Sequence, residues 1–431
     1  MPRTRYAQVG LGGRSLMYSA AIVELYHDAC ELVGLCDLNA GRVELRRRWV
    51  ASHAARPEQR DVPGYLHDDF ERMVAETRPD TVIVTTKDCT HDHYICRALE
   101  LGCDVITEKP MTVDEIKCQQ ILDTIARTRR NLRVTFNYRY APHNTKLREL
   151  LMEETIGQVF SVHFEWLLDT RHGADYFRRW HRDKRNSGGL LVHKATHHFD
   201  LVNFWLASHP KTVFAMGDLR FYGRENAEQR GVTEFYSRAY GSEQAENDPF
   251  ALHLESSERL KELYLEAEHE DGYYRDQSVF GDGISIEDTM AVMVRYKNDA
   301  VMTYSLNAYL PWEGYRIAFN GSKGRIQMLV AEHSYVSAGG EASAEGAARA
   351  RRITVFPMWG EPYDVEIPEG VGGHGGGDVV MLDDIFGEPE PDPYHRAASH
   401  VDGAMSILTG IAANKSIRTG LPVVVDDLVD F

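Results

Sequence analysis

The stretch "RYAQVGLGGRS", residues 5–15, is a short apolar strand that breaks into glycines, and "LMYSAAIVELY" (16–26) continues with apolar residues at helical spacing. The chemistry asks for this order. Gly10 allows a tight turn, Gly12 and Gly13 let bare backbone approach a pyrophosphate, Arg14 flanks the anion, and the first turn of the helix offers unpaired N–H groups. Ser15 stands where a G-x-G-x-x-G pattern has its third glycine, a departure that stays small. A second strand, "CELVGLCD" (30–37), ends in Asp37, placed to accept hydrogen bonds from an adenosine ribose. Leu38 and Asn39 follow it and supply no cation for a 2′-phosphate, so NAD is expected rather than NADP.

Strands and helices alternate outward from that turn: "TVIVTT" (81–86), "HDHYICRALELG" (91–102), "DVITEKP" (104–110), "VDEIKCQQILDTIARTR" (113–129) and "LRVTFNY" (132–138). Such alternation predicts an α/β fold with a doubly wound parallel sheet, an NAD-binding Rossmann domain over 1–140, whose strand C-termini border a ligand crevice. Thr86, Lys87, His91, Glu108 and Lys109 lie at those strand ends.

The chain has 431 residues, enough for two domains, and a net charge of −17 that argues against nucleic acid as partner. All six cysteines lie within residues 30–118 without C-x-x-C spacing and read as reduced thiols. The sequence shows neither a signal-peptide pattern nor an apolar run of membrane-spanning length, so a cytoplasmic protein without a membrane partner is expected.

Glu108-Lys109-Pro110 at a strand end and "NYRYAP" (137–142) after the next strand resemble the Gfo/Idh/MocA family of NAD(P)-dependent sugar and cyclitol oxidoreductases. The likeness covers about residues 4–210 and returns in "GAMSILTGIAANKSIRTG" (403–420). It implies a second α/β domain with an open, mostly antiparallel sheet over 141–431, and Lys109 beside both the nicotinamide and a substrate hydroxyl. The counterpart of "GGLLVHKATHHFDL" (188–201) reads roughly GGxLxDxxxHxxD in the family. His197 takes the place of the motif's histidine and Asp200 that of its last acid, while His193 occupies the slot of the first aspartate. On a helix His193 and His197 share a face, and Asp200, three positions on, is expected to orient the His197 imidazole. His197 and His193 are the candidate general acid and base. Lys194 lies 100° round the helix from His193, facing solvent or an anionic substrate group. Tyr138 polarises a sugar oxygen or packs in the core. The HxxxH pair lacks a third ligand at clear spacing, so no metal is expected.

Two further stretches depart from the family pattern or exceed it. Lys87 stands where the family has proline, placing Lys87 and Asp88 near the nicotinamide. A basic island, "DTRHGADYFRRWHRDKRNSGG" (169–189), suggests capture of an anionic group, with Arg178, Trp180 and His181 as substrate contacts. "GVGGHGGGD" (370–378) presents His374 and Asp378 inward in a glycine-rich loop. The acidic insertion at about 222–282 reads as a lid or subunit contact. The paired strands after it suggest a homo-oligomer, dimer or tetramer.

Three functions fit this reading. In the first, transient C3 oxidation drives C1–C2 elimination, water addition and re-reduction, which cleaves a glycoside bearing a sulfonate or uronic acid. The second is a simple NAD-dependent sugar or cyclitol dehydrogenase, and the third a non-catalytic nucleotide-sensing regulator. The surplus of proton-transfer groups favours the first.

Overall fold

A computed structural model describes residues 2–336, 344, 346–388 and 390–431. The first unit interleaves β1 (Thr4–Val9), α1 (Leu16–Ala20), β2 (Cys30–Asp37), α2 (Ala40–His53), β3 (Gly64–Leu66), α3 (Phe70–Thr77), β4 (Thr81–Val84), α4 (His91–Glu100), β5 (Asp104–Thr107), α5 (Glu115–Thr128) and β6 (Leu132–Val134). Ala7, Val9, Val82 and Val84 are at most 1% exposed, as strands covered on both faces require. β1 runs parallel to β2 and β4, with Val9 level with both Cys36 and Val84. That register brings the glycine turn, Asp37 and the loop after β4 to one edge of the sheet.

After α6 (Pro142–Met152) the second sheet forms from β7 (Val159–Asp169), β8 (Pro210–Asp218), β9 (Thr289–Tyr296), β10 (Val301–Leu310), β11 (Gly314–Gly321), β12 (Gly324–Glu332), β13 (Ala348–Pro357) and β14 (Tyr363–Val365). Its pairings are antiparallel except β7 with β10, which are parallel. Along β7 the side chains alternate: Val162, Phe164 and Trp166 are buried, while His163 between them is exposed. A sheet with one covered face gives this period of two. The covering layer includes α7 (His172–Arg178), α8 (Lys184–Ser187), α9 (Leu190–His193), α10 (Ala195–Leu206) and the long helix His400–Thr419, whose start is fixed by a capping box between Ser399 and Asp402.

The two units are not joined at one point in sequence. β15 (Ala398–Ser399) pairs antiparallel with β6 and becomes the edge of the first sheet, while β16 (Val423–Val424) pairs with β8. Helix Gly377–Phe386 also returns to the first unit, where Phe386 meets Tyr6 edge to face at 5.1 Å and Arg133 pairs with Asp384.

Candidate active site

The sheet edge that carries the glycine turn opens into a cavity of about 530 Å³, closed on its other side by α7, α9, α10 and the loop around His374. At its nucleotide end Gly10 has φ +86°, and a Cβ there would lie 2.5 Å from the Thr85 carbonyl carbon; a Cβ on Gly12 would meet nothing within 4 Å. The turn thus has one glycine forced by close packing and one left bare beside open space, the arrangement a pyrophosphate needs. Asp37 accepts the backbone N–H groups of Leu11 (2.5 Å) and Asn39 (2.9 Å), and each carboxylate oxygen keeps a lone pair for a ribose hydroxyl. Burial pushes its carboxyl up, opposed by the neighbouring Arg42. These residues fit NAD.

Gly13, Arg14, Thr86, His91, Glu108 and Lys109 also line the cavity. Arg14 donates to Glu108 (2.8 Å) and to Asp378 (2.9 Å), so Glu108 pairs with Arg14. His91 has its ring nitrogens 2.8 and 3.1 Å from the Pro110 and Thr86 carbonyls, stitching two strand-end loops together. Ser15 lies beneath the turn instead of on the wall: its hydroxyl donates to the Gly12 carbonyl and accepts from Arg46.

At the far end stand Lys87, Tyr138, Trp180, His181, His193, Lys194, His197 and His374. The geometry changes two sequence expectations. Asp200 does not orient His197. It takes both Arg139 contacts, at 2.8 and 2.6 Å, because a buried guanidinium presents two parallel donors to one carboxylate. The His197 Nδ1 is buried without a hydrogen-bond partner among the described residues. Lys194 does not face solvent either: it is 4% exposed, with Nζ 5.1 Å from the Trp166 ring centroid and 5.6 Å from that of Tyr138. The helix is interrupted at Lys194, between α9 and α10, which turns this side chain inward.

A third correction concerns the basic island. Arg178 is absent from the wall and is spent on the Phe250 carbonyl at 2.8 Å, whereas Arg179 reaches the cavity. Arg178 is the last residue of α7 while Arg179 just beyond it has extended backbone (φ −97°, ψ 177°), and that break sends the two side chains in different directions.

Three proton-transfer groupings become visible only in three dimensions. Asp88, on the loop after β4, holds His193 Nδ1, joining the two units across the cavity. Glu313 lies 2.5 Å from His172 Nδ1, and His172 Nε2 lies 3.0 Å from the Tyr176 hydroxyl. Tyr138 donates to Glu332 at 3.2 Å. Burial pushes the Glu332 carboxyl up to about 8 against the pull of Lys194. Burial, reinforced by the charges of Lys109 and other cations, holds His193 and His197 well below the ordinary imidazole range. Asp88 is pushed up by burial and drawn back by Lys109 and Arg179. Asp378, despite burial, is held well below the carboxylate range by Arg14 and His374, whose Nδ1 lies 2.9 Å from it.

Asp88, His181 and His193 each bring a ligand atom within 4.8 Å of the others, a composition that suits a metal ion. Lys109 and Arg179 act on the same carboxylate and oppose a divalent charge there, so hydrogen bonding is the role this geometry favours. Sequence reasoning had no signal for His172 or Glu332, whose partners Glu313 and Tyr138 lie more than a hundred residues away, nor for Tyr176, which joins the set only through His172. No helix among the described residues is long and apolar enough to cross a membrane.

Comparison with known proteins places this geometry. The model for the NAD-binding Rossmann fold of the oxidoreductase family matches residues 4–136, and that for the family's C-terminal alpha/beta domain matches 148–425. The chain is 35% identical to the oxidoreductase YteT of Bacillus subtilis (strain 168) over 97% of both chains. It is 28% identical to glycosyl hydrolase family 109 protein 2 of Akkermansia muciniphila over 36% of this chain and 32% of that one. The WlbA dehydrogenase of Bordetella pertussis, solved with NADH and UDP-GlcNAcA, shares the fold with a TM-score of 0.63 at 15% identity, covering 98% of this chain and 99% of that one. With a glycine turn, an Asp37 at the end of β2 beside it and both family domains in sequence order, the chain belongs to the Gfo/Idh/MocA family of NAD-binding oxidoreductases.

Proposed function

We propose that the protein acts on a sugar and cleaves a glycoside by a redox-neutral route: oxidation at C3, loss of the C2 proton, elimination of the C1 substituent, addition of water and re-reduction. NAD, when bound, supplies the hydride acceptor and donor for the first and last steps. The observation that carries the reading is that two carboxylate-backed histidines, His193 held by Asp88 and His172 held from behind by Glu313, line one cavity with Lys109 and His197. A simple dehydrogenase needs one proton relay; elimination needs a base for C2–H and an acid for the departing oxygen as well.

In this scheme Lys109 and His197 exchange the proton of the C3 hydroxyl. His193, its Nδ1 engaged by Asp88, works through Nε2 at C2. Tyr176, backed by His172 and Glu313, protonates the departing oxygen. Lys87, Arg179 and Lys194 on the wall favour a substrate with an acidic group, a uronic or sulfonated glycoside. The partial likeness to a protein named for glycosyl hydrolase family 109 agrees with glycoside cleavage and says nothing of the acidic group. Met216 (68% exposed), Met293 (54%) and Leu329 (41%) on the strands of the second sheet support assembly into a homodimer or homotetramer.

The test is to incubate the purified protein with neutral, uronic and sulfonated aryl glycosides and with free sugars, following aglycone release and reduced nicotinamide together. Aglycone release with catalytic NAD and no accumulating NADH is expected. Stoichiometric NADH from free sugar without bond cleavage would make the protein a plain sugar or cyclitol dehydrogenase.

A further inference from the structure

The insertion does not stand apart as a flap over solvent. Tyr264, Asp271 and Tyr273, all from it, line the same cavity as Asp37 and Leu38. Its grip on the first unit is polar and closely spaced. Arg42 of α2 lies 2.5 Å from the Asp271 carboxylate and 3.7 Å from that of Asp37, and its Nε donates to the Leu263 carbonyl at 3.1 Å. Asn39 Nδ2 donates to the Ala267 carbonyl at 2.7 Å, and the Gly41 N–H donates to Glu270 at 3.1 Å. The Arg42 guanidinium lies about 6 Å from the ring centroids of both Tyr264 and Tyr273, and Leu45 of α2 packs against the small apolar cluster of Leu254, Leu260, Leu263 and Tyr264. Farther along, Arg275 is fully buried with two contacts to Asp175, at 2.7 and 2.8 Å, which fasten the insertion to α7.

We infer that residues 258–275 form the outer wall of the adenosine end of the nucleotide site and keep NAD bound from one catalytic cycle to the next. The ribose-facing carboxylate, the arginine beside it and the insertion form one connected set, so a nucleotide seated against Asp37 leaves only when the Arg42, Asn39 and Gly41 contacts open. The same set occupies Arg42 with two carboxylates, which removes it as a partner for a 2′-phosphate. The inference deepens the glycosidase reading, in which the nicotinamide is restored at the end of each turnover, but its test contains no sugar and so fails or succeeds separately.

Full-length protein is loaded with NAD, desalted, and mixed with excess isotopically labelled NAD, and the bound fraction is followed by mass spectrometry. The expected result is that the wild-type protein exchanges over hours. Asp271→Asn, which weakens the Arg42 pairing, and Glu270→Gln, which weakens the Gly41 contact at a more exposed position, are each expected to exchange about tenfold faster, the equivalent of about 1.4 kcal/mol. Thermal melts of both variants check folding, and Glu270→Gln decides the matter if Asp271→Asn does not fold. Exchange by the wild-type protein within seconds would overturn the inference, as would an unchanged rate in the folded variants.

Discussion

The imidazole of His193 is held at Nδ1 by a carboxylate from the opposite unit, which leaves Nε2 as the atom able to exchange a proton with a substrate. Asp88→Asn keeps the shape of that contact and removes its charge. We expect kcat on a cleaved glycoside to fall about 100-fold with bound NAD unchanged, measured by steady-state kinetics beside nucleotide release after heat denaturation. His193→Ala should fall at least as far, and the double variant little further, because the two act as one group. The departure of His193 from the family pattern was legible in the sequence. Its partner was only half legible, because a lone aspartate in a loop gives no sign of contact with a residue 105 positions away. The same limit hid Glu313 and Glu332, both on or beside sheet strands whose sequence pattern reports packing and not chemistry.

At the level of elements, the glycine turn is the most constrained piece of the site. Gly10→Ala introduces a Cβ at 2.5 Å from backbone at a φ of +86°, so neither the side chain nor the backbone conformation is tolerated. We expect a melting temperature several degrees lower and loss of co-purifying NAD, read by differential scanning fluorimetry with and without added nucleotide. The turn and its flanking strands were legible because apolar periodicity and glycine spacing are local. The paired strands on either side of "KND" (297–299) and "GSKG" (321–324) were legible for the same reason. The inward turn of Lys194 was not, since it follows from the break between α9 and α10. Nor was the choice of Arg179 over Arg178, which rests on α7 ending at Arg178.

Across the whole molecule, buried imidazoles set the response to acid. His143 is driven down to about 3, and His181, His193, His197 and His198 lie well below the ordinary range, in each case chiefly by burial. Below about pH 6.5 the unfolded chain binds protons at these positions and the folded chain does not, so stability falls as pH falls. Four carboxyls are shifted the other way by burial: Asp37 and Asp88 upward, Asp200 to about 7 and Glu332 to about 8, and a carboxyl that takes up its proton more readily in the folded chain adds stability as pH falls. The five histidines outnumber them, and urea midpoints should drop steadily from pH 7 to pH 5.5. A midpoint that rises over that interval would contradict the balance.

The pairing of Ala398–Ser399 with β6 has a consequence for synthesis. The first sheet is open along β6 until about 400 residues have left the ribosome, and the core around Tyr6 lacks Phe386 until nearly the same moment. The nascent nucleotide unit thus spends most of translation with an unpaired edge, a state that invites chaperone binding and intermolecular strand addition. Closure of that edge waits for residues 398 and 399 to reach β6.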